Sequence, residues 1–93
     1  MTKADIVNQI AKTTGVDKNQ VAIIIEEYMK AVKKSLVSGE SVFLRGFGTF
    51  LVKHRAEKAA RNISKNTTVI IPAHSVPAFK ASKEFIALIR DRD

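Results

Sequence analysis

The sequence predicts an α+β fold in a single small domain, because helical periodicity at both ends encloses a segment of extended periodicity. Residues 1–40 carry apolar side chains at helical spacing, bounded by capping residues and glycines. Residues 41–76 contain short runs rich in β-branched and aromatic residues, and residues 77–93 return to helical spacing. The 93 residues contain no internal repeat, so we expect one domain, 1–93, with a small hydrophobic core of its own.

The first helix is predicted to begin directly after Thr2. Thr2 and Asp5 have the spacing of a capping box, in which each side chain binds a backbone N–H at the start of the helix. Gly15 is placed to end the helix. The apolar residues that share one face of this helix are Ile6, Val7, Ile10 and Ala11.

A second helix is predicted between a capping residue, Asp17, and a helix-ending residue, Gly39. Its apolar surface is wider than packing on one small helix and a sheet requires, which favours an interface with a second chain. The alternative is a scatter of exposed apolar residues, which are common on soluble proteins. The main apolar stripe consists of Val21, Ile24, Ile25, Tyr28, Val32 and Leu36, and the apolar residues outside it are Ile23, Met29 and Val37.

The segment 41–55 predicts two strands joined by a tight turn at Gly46 and Gly48. Residues 67–72 form a third β-branched run, which ends in Pro72. Proline donates no N–H to a ladder, so we expect Pro72 at a strand end or a sheet edge.

The basic stretch 55–66, RAEKAARNISKN, is predicted to be the distal part of a long hairpin. A two-stranded ribbon is a poor independent structure in water, so we expect its ordering to be coupled to binding. A short C-terminal helix is predicted after Pro77. The apolar residues at helical spacing in that helix are Phe85, Ile86, Leu88 and Ile89.

Positive charge is concentrated in the middle of the chain. Residues 1–40 hold six Lys and five acids (+1), residues 41–80 hold seven Lys or Arg and one Glu (+6), and residues 81–93 hold three of each sign (0). This distribution indicates a polyanionic partner such as nucleic acid, with an anionic membrane surface as the rival. A basic surface that serves only solubility is the third interpretation.

Composition argues against several other classes. The longest aliphatic run, residues 21–25, is far too short to span a bilayer, so we expect no membrane insertion. The N-terminus has no apolar core of a signal peptide, and the absence of cysteine favours a reducing, intracellular setting.

Catalysis has little support in the sequence. The histidines His54 and His74 lack a neighbouring nucleophile or acid in a catalytic arrangement, and Ser75 lacks the context of a nucleophile elbow. No cluster has metal-ligand spacing, and the Gly46–Gly48 pair lacks the third glycine of a dinucleotide fingerprint. We therefore predict that the protein is not an enzyme and needs no cofactor and no metal.

The ordered combination of these features resembles the HU and integration host factor family of bacterial DNA-bending proteins. The resemblance spans nearly the whole chain and rests on two leading helices, the RGFGTF turn (45–50), the Arg61-Asn62 pair and the segment PAHSVPAFKASK (72–83). It implies an intertwined dimer in which residues 1–40 form a helical base and a three-stranded antiparallel sheet makes a saddle. Two protruding β-ribbon arms would embrace DNA in the minor groove.

Within this arrangement we hypothesise the following candidate site residues. The predicted DNA-binding arm consists of Lys53, Arg55, Lys58, Arg61, Asn62, Ile63 and Lys65. The predicted DNA contacts of the body are Lys3, Lys80 and Lys83. The predicted aromatic core of the dimer is Phe47, Phe50 and Phe79, for which base stacking is the less favoured alternative.

The chain departs from the family at the arm tip, where Ile63 replaces the proline that usually follows the Arg-Asn pair and inserts between base pairs. Isoleucine is itself used as an apolar wedge between bases, so we predict the same role for Ile63. The alternative is that Ile63 is simply exposed or folds back on Ala59 and Ala60. Proline fixes its backbone angle and isoleucine does not, so the change removes rigidity from the tip.

The predicted function is that of a cytoplasmic, nucleoid-associated protein of bacteria that binds, bends and compacts duplex DNA. We expect little base preference, because the minor groove presents a degenerate pattern and phosphates carry no sequence information. One alternative is sequence-specific bending of the integration host factor type, and another is a dimeric protein-interaction module that binds nucleic acid incidentally. A homodimer is favoured over pairing with a paralogue, and RNA is left open as a ligand.

Overall fold

The computed structural model describes residues 1–62 and 67–93, with Asn62 described by its backbone alone. Three helices and five strands are present in this part of the chain. In chain order they are α1 (Lys3–Thr14), α2 (Lys18–Val37), β1 (Val42–Leu44), β2 (Gly48–Arg55), β3 (Lys58–Asn62), β4 (Thr67–Ile71), β5 (His74–Ala81) and α3 (Lys83–Asp91). The predicted α+β class is confirmed.

Helix α1 begins and ends as the sequence predicts. The Thr2 hydroxyl accepts from the Asp5 N–H at 3.3 Å, and the Thr2 N–H donates to the Asp5 carboxylate at 2.8 Å. At the other end, Gly15 adopts a φ of 77°, and its N–H donates to the Ala11 carbonyl at 2.9 Å. The reciprocal cap and the left-handed glycine therefore fix both ends of the helix by local chemistry.

Helix α2 also starts at its predicted cap. The Asp17 carboxylate accepts from the N–H groups of Asn19 and Gln20 at 3.1 and 3.4 Å. The last helical residue is Val37, and Gly39 follows with a φ of 88°, a conformation that side chains with a Cβ rarely adopt. Gly39 therefore turns the chain away from the helix towards β1.

The strands form two antiparallel units. Strands β1, β2 and β5 make a three-stranded sheet in the order β1-β2-β5, and strands β3 and β4 make a two-stranded ribbon. The predicted turn between β1 and β2 contains Gly46 at a φ of 79°. Gly48 opens β2 where the backbone of β5 approaches so closely that a Cβ would lie 2.5 Å from the Lys80 carbonyl oxygen. Only glycine fits this position without a shift of the backbone.

The structure corrects one boundary and adds one strand. The predicted C-terminal helix is present, but it is shorter than the segment 77–93, because residues 77–81 continue β5 and α3 begins at Lys83 with Ser82 as its cap. Proline is tolerated there because β5 lies at the edge of the sheet. The run 67–72 supplies β4 as predicted, and Pro72 follows directly after its last residue, Ile71, as expected of a strand end.

The single chain buries very little. Among the described residues, the buried hydrophobic residues are Val7 and Val21, with relative solvent exposures of 5% and 4%. Many large apolar side chains of α1, α2 and α3 are instead exposed. Among the residues described, no helix has the length and apolar character needed to cross a bilayer.

Candidate nucleic-acid interface

The strand register divides the side chains of the three-stranded sheet between two faces. Successive residues of a strand point to opposite faces, and directly paired residues point to the same face. In the β2–β5 pair, Arg55 lies opposite His74, Lys53 opposite Val76 and Thr49 opposite Lys80. We call the face that carries Lys53, Arg55 and Lys80 the basic face. It unites two predicted arm residues with one predicted body residue.

The opposite face carries the aromatic residues and is called the aromatic face. Phe50 and Phe79 are directly paired across β2 and β5. Phe47 lies 5.0 Å from Phe79 between ring centroids, and Phe85 of α3 stacks on Phe47 at 5.5 Å. The three predicted core aromatics are thus brought together, and Phe85 joins them. In the single chain, the relative solvent exposures of Phe47 and Phe79 are 44% and 39%.

The ribbon extends the β2–β5 hairpin after a short interruption. The last pair of the sheet is Arg55 with His74, and the first pair of the ribbon is Lys58 with Ile71. Two residues on each side, 56–57 and 72–73, lie between these pairs and belong to no strand. His74 is exposed there, and its Nδ1 lies 2.9 Å from the Pro72 carbonyl oxygen. The interruption separates the ribbon from the three-stranded sheet.

The register of the ribbon directs its cations to both sides. Lys58 pairs with Ile71 and Arg61 pairs with Thr68, and these two pairs lie three residues apart along β3. An odd separation reverses the face, so Lys58 and Arg61 project from opposite faces of the ribbon. Asn62 ends β3 opposite Thr67. The remaining predicted arm residues, Ile63 and Lys65, lie outside the described residues.

Three cations border a hollow at the other end of the basic face. Arg45 in the β1–β2 turn, Lys80 on β5 and Lys83 at the start of α3 line it together. The Ser82 N–H donates to the Phe47 carbonyl at 2.9 Å and ties the α3 start to this turn. The sequence analysis did not predict Arg45 as a site residue. Its position beside the glycines of the RGFGTF turn could have indicated it. Among the described residues, neither Lys80 nor Lys83 forms an ion pair.

The third predicted body residue has a different environment. The Lys3 ammonium forms an ion pair and a hydrogen bond with the Glu26 carboxylate, which joins α1 to α2. This hydrogen bond and the charge of Lys3 lower the pKa of Glu26 below its usual value. Lys3 therefore sits beside an acidic partner, whereas Lys80 and Lys83 border the cationic hollow.

The described residues contain no group of three or more His, Cys, Asp or Glu side chains suited to holding a metal ion. The functional groups that the described residues place on this surface are exposed cations on a sheet and a ribbon, with threonine and serine hydroxyls between them. Such groups bind anions through charge and hydrogen bonds, and a repeated anion such as a phosphate backbone engages several at once.

The chain belongs to the bacterial DNA-binding protein family, the HU family, whose sequence model matches residues 1–90. It is 37% identical over 83 residues to the DNA-binding protein HU of Staphylococcus aureus, covering 89% of this chain and 92% of that one. It is also 37% identical to the SPbeta prophage-derived DNA-binding protein HU 2 of Bacillus subtilis, with 89% and 90% coverage.

The fold agrees with that of a solved complex. The chain matches the HU protein of an Anabaena HU–DNA cocrystal structure with a TM-score of 0.90, 32% identity and coverage of 96% of this chain and 97% of that one. The resemblance inferred from the sequence is therefore confirmed. Members of this family are structural DNA-binding proteins, so the prediction that the protein is not an enzyme agrees with the family.

Proposed function

We propose that this protein is an architectural DNA-binding protein that binds duplex DNA largely without sequence specificity, bends it and compacts the bacterial nucleoid. The observation that carries the proposal is the basic face, which aligns Lys53, Arg55 and Lys80 on one side of the sheet and leads into a ribbon with further cations. The HU–DNA cocrystal structure with the same fold supports DNA as the ligand. Its place of action would be the cytoplasm, where the nucleoid lies.

The proposed functional unit is a homodimer. A chain of this size with two buried hydrophobic side chains among its described residues has too small a core to fold alone. Exposed apolar side chains on α2, such as Ile24 at 63% exposure, offer a surface for a second copy. The half-exposed aromatic face supports the same arrangement, with Phe47, Phe50 and Phe79 completing a core shared by two protomers.

The proposed mechanism of bending follows from the size of the ribbon. Two backbones about 4.8 Å apart, with side chains on both faces, do not fit in an undistorted minor groove about 6 Å wide. Entry of the ribbon therefore widens the groove, which favours bending of the duplex towards its major groove. Cations on both faces of the ribbon, Lys58 and Arg61, are suited to the phosphates on the two sides of the groove.

The proposed wedge is Ile63, on the strength of its position in the sequence after Arg61 and Asn62. An apolar side chain inserted at one base step unstacks it at a cost of a few kcal/mol and localises the bend as a kink. The phosphates that a bent duplex brings onto the basic face would offset this cost. Lys3 is proposed as a further contact once DNA competes with Glu26 for its ammonium.

The test is end-to-end fluorescence energy transfer on a short labelled duplex, titrated with the wild-type protein and with Ile63→Ala at the same salt concentration. We expect the wild-type protein to shorten the end-to-end distance and the variant to bind but bend less. Thr67→Ala, in the ribbon but polar, serves as the matched control and should bend the duplex as the wild type does. A duplex that is bound but stays straight with both proteins would contradict the bending mechanism.

The same titration separates the alternatives. Repeating it with unrelated duplex sequences measures base preference, and a single strongly preferred sequence would indicate an integration host factor type of protein. Replacing the duplex by RNA of the same sequence tests RNA as a ligand. Loss of all duplex affinity at moderate salt while a protein partner is still bound would favour a protein-interaction module.

A further inference from the structure

The ribbon has two outer edges. In the described part of the chain, β3 and β4 pair only with each other, so each strand presents one row of backbone N–H and C=O groups on its outer side. A two-stranded ribbon is marginally stable in water, and three or more strands are needed for independent stability. A further strand added to one of these edges would therefore stabilise the ribbon.

The two edges differ in how well they are protected against such pairing. Strand β3 contains Lys58 and Arg61, and charged side chains on an edge strand oppose the addition of another strand. Strand β4, Thr67–Ile71, contains no charged residue, no proline and no glycine, and all five of its residues are β-branched and exposed. Its most exposed side chain is Ile70, at 62%. The edge of β4 is therefore the one open to a partner strand.

The side chains of β4 suit a second copy of the same strand. Antiparallel pairing of two β4 strands about Val69 places Val69 opposite its own counterpart and each threonine opposite an isoleucine. Every cross-strand pair then joins two uncharged β-branched residues, which pack well on the pleated surface of a sheet. The contact is two-fold symmetric, which is the commonest symmetry of homo-oligomers.

The positions of the cations also favour pairing through β4. The resulting sheet has the strand order β3-β4-β4-β3, so Lys58 and Arg61 lie on its two outer strands. Three strand spacings separate these outer strands by about 14 Å. This distance exceeds the Debye length of about 8 Å at physiological ionic strength, so repulsion between the two sets of cations is largely screened. Pairing through β3 would instead bring the two cationic strands to about 4.8 Å.

We propose that the outer edge of β4 is a self-association edge, through which the ribbons of two homodimers pair into a four-stranded antiparallel sheet when no DNA is bound. The occupant of the edge is a second copy of this chain. Because each proposed homodimer has two ribbons, the contact links dimers into larger assemblies.

DNA and a second ribbon compete for β4. Two paired backbones already exceed the width of an undistorted minor groove, so a four-stranded sheet cannot enter it. A ribbon engaged with DNA is therefore withdrawn from self-association, and by linkage self-association lowers the affinity for DNA. The pairing of two β4 edges itself does not require the proposed DNA-binding function.

The first test is sedimentation velocity of the DNA-free protein over a series of protein and salt concentrations. The wild-type protein should form species heavier than a dimer, in amounts that rise with protein concentration and with salt, whereas duplex affinity falls with salt. Val69→Lys places like charges opposite each other and should weaken the association at least about tenfold. The matched control Ala60→Lys introduces the same charge at the residue of β3 that pairs with Val69 and should leave association unchanged. Thermal unfolding verifies that the three proteins are equally folded.

The second test uses the absence of cysteine from the sequence. Directly opposed residues of antiparallel strands have Cα atoms about 4.5 to 5.5 Å apart, which is within disulfide range. Val69→Cys should therefore form a covalent pair under mild oxidation. Ala60→Cys, on the outer strands about 14 Å apart, should not. Excess duplex should suppress the cross-link at position 69.

The outcomes separate this inference from the proposed function. The self-association edge would be overturned by a wild-type protein that forms no species heavier than a dimer, by equal association of the two lysine variants, or by equal cross-linking at positions 60 and 69. A cross-link at position 69 that persists in excess duplex would overturn the competition with DNA. A protein that associates through β4 but binds no duplex would contradict the proposed function alone.

Discussion

Phe50 and Phe79 are directly paired residues of β2 and β5, and their rings lie 4.9 Å apart between centroids at an interplanar angle of 51°. This tilted contact is the centre of the aromatic face, because Phe79 also contacts Phe47 and Phe85. Tilted and edge-on ring pairs are stabilising beyond the area that they bury. The pair therefore connects the sheet to the C-terminal helix.

We predict that Phe79→Ala destabilises the folded protein by about 3 kcal/mol, the lower end of the range for phenylalanine truncation in a core. The ring would be lost from three aromatic contacts at once. Urea unfolding followed by circular dichroism measures the change. Phe43 is 78% exposed and pairs with Thr49, which pairs with Lys80 of the basic face, so Phe43 lies on the face opposite Phe79. Phe43→Ala removes the same group there and should change stability by less than about 0.5 kcal/mol. Equal effects of both substitutions would contradict the assignment of the two faces.

We predict that Ile24→Asp prevents dimer formation and lowers the unfolding temperature. A charge at the centre of an apolar interface would be desolvated without a partner. Analytical ultracentrifugation measures the assembly state, and thermal unfolding of the wild-type protein should depend on protein concentration. Asn8→Asp introduces the same group at an exposed polar position of α1 and is expected to leave assembly unchanged. A wild-type protein that sediments as a folded monomer would contradict the prediction.

We predict a strong salt dependence of duplex binding. A dimer that neutralises about eight phosphates would give a log-log slope near −7, and Lys80→Gln should reduce its magnitude by about 2, one contact from each protomer. Fluorescence anisotropy over a series of salt concentrations measures the slope. Lys12→Gln, on α1, removes the same charge away from the basic face and should leave the slope unchanged. A wild-type slope near zero would exclude phosphate contacts as the source of affinity.

We predict that the ion pair between Lys3 and Glu26 stabilises the protein at neutral pH and not in acid. The pKa of Glu26 is lowered in the folded state by its hydrogen bond to Lys3. Its contribution is therefore present above the unfolded-state pKa and is lost as the pH falls through the folded-state pKa.

Thermal unfolding of the wild-type protein and Glu26→Gln between about pH 6 and pH 3 measures this effect, since the unperturbed pKa of glutamate lies in that range. The wild-type protein should be more stable at the upper end, with the difference vanishing at the lower end. In the Glu26→Gln background, Lys3→Gln should add little. A constant difference between wild type and Glu26→Gln across the pH range would show that Lys3 and Glu26 do not interact in solution.

Features fixed by local chemistry were predictable from the sequence. The caps at Thr2 and Asp17 and the left-handed glycines Gly15 and Gly39 depend on residues within one turn of each other, and the structure contains all of them. Helix-ending and turn residues act through their own backbone conformations, so no knowledge of the distant chain is needed.

Features that depend on distant pairing were not predictable. Strand β5 was not predicted because proline normally disrupts a strand. Pro77 is tolerated because β5 is an edge strand, in which Pro77 pairs with Val52. The place of Arg45 beside Lys80 and Lys83 follows from the pairing of strands distant in sequence, which no local pattern reveals. The partner of Lys3 lies 23 residues away on another helix, so a predicted phosphate contact proved to have an acidic neighbour.

The small core formed by Val7 and Val21 has a consequence for gene dosage. If a protomer is stable only within the proposed homodimer, folding and assembly are one bimolecular event. At low abundance the concentration of competent dimer then rises as the square of the total chain concentration, so a doubling of expression gives about four times as much active protein. The amount of DNA bound by the dimer would therefore rise more than linearly with the synthesis rate of this protein, without any additional regulator.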